Sequence, residues 1–237
     1  IAAKYNANVK LVEVPPGPPV LSTLVAEVYG PDYTQQIAIA KQVKQMISNT
    51  ADVVDADWMV EDDEYEYRVS VDKEKAMRYG VATAQISATV QAAMSGMQTG
   101  NLNQPASYNQ VPIRLQLKDA DKSNTSQLLD LQVKGMQGNM VPLRDIVSIR
   151  SLPKDKSIYR KNQKEVVYVV ADMAGKLESP FYAISKMSDS LKLIKLPAGY
   201  SHINEEYTKQ PESGDQYSVK WDGEWQITYE VFRDLGI

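Results

Sequence analysis

The side chains that could carry out chemistry are few and scattered in this sequence of 237 residues. It contains no cysteine and a single histidine, His202. Disulfide bonds, thiolate metal sites and cysteine nucleophiles are therefore excluded, and neither a histidine-based catalytic triad nor the usual zinc ligand set can be assembled. We expect His202 to be a surface or hydrogen-bonded residue in a strand predicted over Tyr200–Tyr207.

Two groups of neighbouring carboxylates need separate interpretations. The acidic stretch Glu61–Glu64 could bind a hard cation, but it lacks the spaced oxygen ligands and the glycine of a calcium loop, so a solvated hairpin turn is favoured. Glu205 and Glu206 are adjacent in a predicted strand and point to opposite faces, so they cannot act as a catalytic pair. The sequence also lacks a phosphate-binding loop pattern. We therefore expect no enzyme, no catalytic residue and no cofactor.

The methionines offer a different chemistry. There are nine, and Met94/Met97 and Met136/Met140 are close pairs along the chain. Thioethers are soft ligands that suit Cu(I) or Ag(I). Met94, however, belongs to a predicted helix that already has an apolar stripe, and core packing is the favoured interpretation. We predict no metal site, with soft-metal binding by methionine as the alternative.

Composition limits the classes of protein further. The formal net charge of −4 and the pI near 5.2 disfavour nucleic-acid binding. A hydrophobic content of 43% and a charged content of 24% are typical of a globular protein. The longest apolar run, Val166–Ala171, is far shorter than the roughly 20 residues that span a bilayer. The start at Ile1 and the stop at Ile237 favour an excised segment of a longer protein.

Two similar units are predicted near the two ends of the chain. The first follows a strand at Val9–Val14 and the connector Pro15–Pro19, and the second ends at Tyr207. Each has strands that flank one amphipathic helix, and Asp32 and Ser179 are the predicted helix caps. The predicted elements are the strands Leu24–Tyr29, Val53–Val60 and Tyr65–Val71 with the helix Tyr33–Ser48, then a strand pair in Ile158–Met173, the helix Pro180–Ile194 and the strand Tyr200–Tyr207.

This pattern predicts an α+β fold, with a ferredoxin-like split βαβ unit and helices on one face of an antiparallel sheet. The middle of the chain, about Asp72–Pro153, differs because it has two helices, Lys73–Tyr79 and Thr83–Met94, followed by short strands and turns. We expect it to be a small α+β domain inserted into the first. A final amphipathic helix is predicted over Trp221–Leu235, with Trp221, Trp225, Tyr229 and Phe232 on one face.

Several motifs in a fixed order resemble one family across nearly the whole chain. They are the strand-to-helix segment Tyr67–Val81, the helix Ile86–Ala93 followed by Met94-Ser95-Gly96, the hairpin Gly138-Asn139-Met140-Val141-Pro142-Leu143, the turn Arg160-Lys161-Asn162-Gln163 and the segment Leu196-Pro197-Ala198-Gly199-Tyr200. Together they resemble the second large periplasmic loop of resistance-nodulation-division (RND) efflux transporters of the AcrB/CusA type. Gln163 stands where the family usually has glycine, and the polar extension Lys209–Asp222 is longer than in the drug-pump pattern.

The resemblance implies a division of the chain. Residues 1–19 would be the tail of a preceding porter subdomain and a proline-rich connector. Residues 20–72 plus 155–207 would form the split, ferredoxin-like porter subdomain, and residues 73–154 an inserted docking subdomain. Residues 208–237 would be a polar extension and a juxtamembrane helix.

The resemblance also implies a function. Such a protein is a homotrimeric, proton-driven exporter of the inner membrane, with this region in the periplasm, in contact with an adaptor and an outer-membrane channel. The substrate-cleft candidates are Trp58, Tyr168 and Val170, although packing between sheet and helices explains each of them as well. The docking-hairpin candidates are Gly100, Asn101, Gly138 and Asn139.

Alternatives to this function stay open. Within the family, export of drugs or lipids competes with export of Cu(I) or Ag(I). A free-standing periplasmic binding module would also lack catalytic residues. A soluble enzyme of the acylphosphatase type would need an anion-binding loop with a nearby arginine, which the sequence does not show.

Overall fold

The computed structural model of this chain describes residues 2–5, 9, 20–105, 107–176 and 179–236. The chain forms two compact units, the first made of residues 1–62 and 155–237 and the second of residues 63–154. The fold is α+β, as predicted. Within the described residues, no helix has the length and apolar character needed to cross a membrane.

The described residues contain one short 3₁₀ turn at Ala2–Tyr5, followed by twelve strands and eight α-helices, which are numbered along the chain. The strands are β1 (Leu24–Tyr29), β2 (Val53–Trp58), β3 (Tyr65–Val71), β4 (Met97–Leu102), β5 (Val111–Leu115), β6 (Gln132–Lys134), β7 (Met140–Pro142), β8 (Val147–Pro153), β9 (Tyr159–Lys161), β10 (Lys164–Met173), β11 (Asn204–Glu206) and β12 (Ser218–Gly223). The helices are α1 (Tyr33–Ser48), α2 (Lys73–Arg78), α3 (Thr83–Met94), α4 (Asp119–Lys122), α5 (Thr125–Asp130), α6 (Leu143–Ile146), α7 (Pro180–Leu191) and α8 (Glu224–Leu235).

The first unit is built on one sheet with the strand order β11-β12-β1-β10-β2, and β9 pairs with β10 at one end. All of these pairs are antiparallel except β11–β12. Two units are interleaved in this order: β1–α1–β2, and β10–α7 followed by the edge strand β11 and then β12. Interleaving places β1 and β10, which are far apart in the sequence, side by side at the centre of the sheet.

Helices α1 and α7 cover one face of this sheet, which we call the helix face. Helix α1 begins where predicted, because the Asp32 carboxylate accepts a hydrogen bond from the Gln35 backbone N–H at 2.8 Å. Its apolar stripe, which includes Val43 and Ile47, packs against alternate side chains of β1 and β10 such as Ala26 and Val169. Alternation then directs Glu27, Tyr168, Lys220 and Asp222 to the opposite face, which we call the polar face.

The end of the first unit differs from the predicted helix Trp221–Leu235. Trp221 lies in β12, a strand that pairs with β1 along its whole length, and its side chain is fully buried on the helix face. The helix begins three residues later, at Glu224, after Gly223 with φ 86°. A strand is favoured here because Val219 and Trp221 alternate with Lys220 and Asp222, which fits a sheet with one apolar face. Strand β12 was therefore missed, and with it a central part of the core.

The turn between β9 and β10 is confirmed at Asn162-Gln163. Both residues have left-handed backbone angles, with φ of 50° and 67°. A two-residue hairpin of this kind normally has Asn-Gly, so Gln163 occupies a position that favours glycine. The tight turn holds Lys161 and Lys164 in register as a strand pair.

The second unit contains three separate two-stranded sheets, β3–β8, β4–β5 and β6–β7. Strand β3 belongs to this unit because all seven of its residues pair with β8, so the unit begins before the boundary expected near residue 72. Its core is small. It is formed by Ala76, Val81, Ile86, Val133, Val141, Leu143, Ile146 and Val147.

The expectation that the paired methionines pack in the core is wrong. Met94, Met97, Met136 and Met140 are all exposed. The short core of the second unit is already filled by branched aliphatic side chains and Ala76, which leaves the methionines at the surface. The predicted strand Val9–Val14 and the connector Pro15–Pro19 lie outside the described residues, apart from Val9, which has no regular structure.

Candidate functional site

The three substrate-cleft candidates do not lie together. Tyr168 and Val170 are on the polar face of the sheet, where they are the register partners of Glu27 and Val25. Trp58 is on the helix face, packs against the core and lies under the Lys44 ammonium, 5.4 Å from its ring centroid. The structure therefore separates Trp58 from the other two, since strand alternation sends neighbouring side chains to opposite faces.

Four ionisable side chains meet on the polar face, and we call them the charge cluster: Glu27, Lys161, Lys220 and Asp222. Glu27 is fully buried and Lys220 nearly so. Lys161 Nζ forms an ion pair with Glu27 and lies 2.6 Å from Asp222 Oδ2. Lys220 Nζ lies 3.3 Å from Asp222 Oδ2 and 3.8 Å from Glu27 Oε2. Two ammonium groups thus balance two carboxylates, as burial of such charges requires.

Neutral side chains complete the surroundings of Glu27. The Tyr29 hydroxyl oxygen lies 2.8 Å from Glu27 Oε2 and 2.9 Å from Gln210 Oε1. Gln210 Nε2 donates to Glu27 Oε2 at 3.3 Å. Lys164 also donates to the carbonyl oxygen atoms of Pro211 and Glu212, the latter at 3.1 Å. The charge cluster and Lys164 therefore fasten the polar extension to the sheet.

The two carboxylates of the cluster have opposite shifts in pKa. Burial raises the pKa of Glu27 above its ordinary 4.5, and the nearby Asp222 adds to this, against the lowering by Lys161 and Lys220. Burial would also raise the pKa of Asp222, but hydrogen bonds with Glu27 and Lys161 and the charge of Lys220 bring it well below 3.8. As a proton enters the cluster, Glu27 therefore takes it first.

Lys161, Tyr29 and Tyr168 keep their protons. Burial by itself disfavours the charged Lys161, but its hydrogen bonds to Asp222 and Glu27 outweigh burial and raise its pKa above the ordinary 10.5. Burial and the charge of Glu27 raise the pKa of both Tyr29 and Tyr168. Of the two carboxylates, Glu27 is thus the one with the raised pKa, and it gains a proton before Asp222 as the pH falls.

One residue type in β1 indicates this cluster. Glu27 is the single charged residue in the otherwise apolar or aromatic strand Leu24–Tyr29, and a buried charge needs a partner. Its partners Lys161 and Lys220 could not be read from the sequence, because Lys161 is 134 positions away. The residue types of β12 alternate in the same manner, with Lys220 and Asp222 on one face.

The docking-hairpin candidates lie in two different hairpins of the second unit. Gly100 and Asn101 are within β4, opposite Ile113 and Pro112 of β5. The Asn101 side chain accepts from Gln98 Nε2 at 2.7 Å and donates to Gln110 Oε1 at 3.1 Å, so it braces its own hairpin.

Gly138 and Asn139 form part of the turn between β6 and β7. Gly138 has φ 84°, and the Gly135 N–H donates to the Asn139 carbonyl oxygen at 2.8 Å. Glycine is needed at Gly135, because an added Cβ would lie 2.5 Å from the Tyr79 carbonyl oxygen. Asn101, Gly138 and Asn139 are exposed, and Gly100 is half-buried.

His202 is exposed, as expected, and its Nδ1 lies 3.0 Å from Ser201 Oγ. The strand in this segment is shorter than predicted, because it begins at Asn204. The Glu61 carboxylate accepts from Ser157 Oγ at 2.7 Å and from the Ser157 backbone N–H at 3.2 Å. Among the residues with described positions, no three His, Asp or Glu side chains form a group that could hold a metal ion.

Comparison with known proteins gives a consistent result. The model of the AcrB/AcrD/AcrF family matches residues 17–219. The nickel-cobalt-cadmium resistance protein NccA of Alcaligenes xylosoxydans xylosoxydans is 24% identical over 187 residues, which cover 76% of this chain and 17% of that protein. The nickel and cobalt resistance protein CnrA of Cupriavidus metallidurans is 24% identical over 185 residues, with the same two coverages.

Solved structures match the fold. The crystal structure of a heavy metal efflux pump superposes with a TM-score of 0.67 at 19% identity, over 89% of this chain and 20% of that one. A second crystal form of such a pump gives the same TM-score at 17% identity. The chain therefore spans about one fifth of the length of the proteins that it matches.

Proposed function

Because the chain belongs to the AcrB/AcrD/AcrF family, we propose that it is the periplasmic porter and docking portion of a proton-driven efflux pump of the inner membrane. The family match over residues 17–219 is the observation that carries this proposal. The segment itself catalyses no reaction. It forms part of the passage for a substrate and part of the surface that meets other proteins.

The division into two units supports separate roles for them. The first unit acts as the porter subdomain, and its interleaved strand order supports a ferredoxin-like arrangement. The second unit, inserted between β2 and β9, acts as the docking subdomain. Helix α8 is the juxtamembrane helix, because Val231, Phe232 and Leu235 are exposed and no residue of the helix is buried.

The substrate passage is proposed to run along the polar face of the first unit. Tyr168 and Val170 support this, since both are partly exposed there and Tyr168 packs edge-to-face on Tyr159 at 6.2 Å. Trp58 contributes indirectly, by holding α1 against β2. In the docking unit, Gly100 and Asn101 belong to one hairpin and Gly138 and Asn139 to another, and these two hairpins meet an adaptor or an outer-membrane channel in the homotrimeric pump.

Metal cations are the favoured cargo. The relatives NccA and CnrA are named for resistance to nickel and cobalt, and NccA for cadmium too. These borderline cations are usually held by nitrogen, oxygen and mixed donors rather than by thioethers alone. We therefore favour divalent cations over Cu(I), Ag(I), drugs or lipids, with ligands supplied largely by other parts of the pump.

Placement in the periplasm can be tested with a single introduced thiol, because the chain has no cysteine. Asn109→Cys, in the exposed loop between β4 and β5, would be made in a cysteine-free version of the protein that contains this chain. A membrane-impermeant maleimide should label it in intact spheroplasts. Labelling only after the membrane is permeabilised would contradict the proposal. Val43→Cys, buried between α1 and the sheet, is the matched control and should stay unlabelled in both samples.

A further inference from the structure

The charge cluster links three segments that are distant in the sequence. Glu27 is at the centre of β1, Lys161 is next to the turn of the β9–β10 hairpin, and Asp222 is at the end of β12, next to α8. Lys161 bridges the two carboxylates, so the hairpin turn is fastened to the sheet through this one ammonium group. Gln210 fastens the polar extension to the same Glu27 oxygen atom that the Tyr29 hydroxyl faces.

The carboxylates are not equivalent in this arrangement. Asp222 has both lysines within 3.3 Å, and its Oδ1 accepts the Gly223 backbone N–H at 2.9 Å. Glu27 Oε2 instead faces the neutral donors of Tyr29 and Gln210, with Lys220 at 3.8 Å. Loss of the charge on Glu27 therefore leaves Lys161 and Lys220 to share Asp222, and removes one of the two ion pairs of Lys161.

We propose that the charge cluster is a proton-operated latch, in which protonation of Glu27 releases Lys161 from it and loosens the β9–β10 hairpin and the extension around Gln210. The groups that face Glu27 are Tyr29 on its own strand, Lys161 on β9, Tyr168 on β10, Lys220 and Asp222 on β12, and Gln210 of the extension.

The response is local and differs from acid unfolding. The pKa of Glu27 is raised in the folded state, so between 4.5 and that higher value the folded protein holds a proton that the unfolded chain does not. The contribution of Glu27 to the free energy of unfolding therefore falls as the pH rises through its folded pKa. Acidification in this range does not weaken the whole unit through Glu27, although it frees the hairpin from one ion pair.

Amide hydrogen exchange of the wild-type chain tests the latch. As the pH is lowered from about 7.5 through the titration midpoint of Glu27, the amides of residues 159–164, corrected for the intrinsic pH dependence of exchange, should lose protection by about tenfold, while those of α1 keep theirs. The side-chain amide signal of Gln210, which donates to Glu27, should shift over the same pH range. In Glu27→Gln, which cannot be deprotonated, the hairpin should already be loosened at pH 7.5, and neither signal should show a further pH response. Protection of the hairpin that is independent of pH in the wild type would overturn the latch.

A matched control lies in the same hairpin. Arg160 Nη2 is 2.6 Å from Glu165 Oε1, in a pair that is partly exposed and apart from the cluster. Glu165→Gln should keep the full pH response of the hairpin. If it abolishes the response, the hairpin titrates through that pair and the assignment to Glu27 is wrong.

If Glu27→Gln does not fold, titration of the wild-type chain tests the proposal instead. In a sample with ¹³C-labelled glutamate, the carboxyl carbon of Glu27 should titrate with a midpoint above 4.5 and together with the amide shifts of Lys161. A midpoint at or below 4.5, or no linked change at Lys161, would overturn the proposal.

Discussion

Lys161 Nζ lies 2.6 Å from Asp222 Oδ2, which joins the β9–β10 hairpin to the end of β12, 61 positions further along the chain. The next residue, Gly223, has φ 86° and precedes the first residue of α8. An added Cβ at Gly223 would lie 2.6 Å from the Ser22 carbonyl oxygen, so glycine is required for this close approach. The junction between sheet and helix is thus fixed by one ion pair and one glycine.

Removing the charge of Asp222 should destabilise the first unit. Asp222→Asn leaves Lys161 and the nearly buried Lys220 with Glu27 as their one carboxylate. Breaking a fully buried pair costs about 3–5 kcal/mol, and because Asp222 and Lys161 are partly exposed we expect about 2 kcal/mol at neutral pH. Urea unfolding of the two proteins measures the difference.

The same substitution predicts a pH dependence. The pKa of Asp222 is lowered in the folded state, so its stabilisation is present above its ordinary 3.8 and is lost as the pH falls through the folded value. The difference between the wild type and Asp222→Asn should therefore shrink in strong acid. Asp189→Asn, in an exposed pair with Lys192, is the control and should leave the unfolding midpoint unchanged.

Truncation of Trp221 tests whether residues 218–223 form a core strand. Trp221 is fully buried, and its Nε1 donates to Glu205 Oε1 at 2.8 Å, so Trp221→Ala should cost about 3–5 kcal/mol of unfolding free energy. Phe232→Ala, at a side chain with 74% exposure on α8, should change it by less than about 0.5 kcal/mol. Similar costs for the two variants would indicate one continuous helix with equivalent aromatic positions.

The elements of the first unit that local signals define could be predicted. Strand β1 and helix α1 have the expected bounds, because an apolar run, the cap Asp32 and a helical stripe act within a few residues. Strand β12 could not, because Trp221, Trp225 and Tyr229 also recur at four-residue spacing. Helical spacing and strand alternation compete in this segment, and pairing with β1 decides between them.

The charge cluster shows why the candidate site could be predicted only in part from the sequence. An isolated glutamate in β1 indicates a buried charge, but its partners come from β9 and β12, and their proximity depends on the strand order. Tyr168 and Trp58 were placed together as cleft candidates, whereas alternation and register put them on opposite faces. Side-chain direction in a sheet needs the register, which the sequence does not specify over such distances.

The hairpin turn offers a stabilising substitution. Gln163 has φ 67°, where a residue with a Cβ is disfavoured by about 1 kcal/mol, and glycine is not. Gln163→Gly should therefore raise the free energy of unfolding by about 0.5–1 kcal/mol, as read from thermal or urea unfolding. Gln137→Gly is the control, because Gln137 has no left-handed backbone angle and gains nothing from glycine. A gain at both positions would contradict an origin in the left-handed angle.

Transport by the protein that contains this chain tests the central proposal most directly. Inverted inner-membrane vesicles that carry it would be energised to an acid interior, and uptake of radioactive Ni²⁺ would be followed with and without a protonophore. We predict uptake that depends on the proton gradient, stops with the protonophore and is absent from vesicles without the protein. Absence of gradient-dependent uptake of Ni²⁺, Cd²⁺ and a hydrophobic dye alike, with the protein present in the membrane, would contradict a proton-driven exporter.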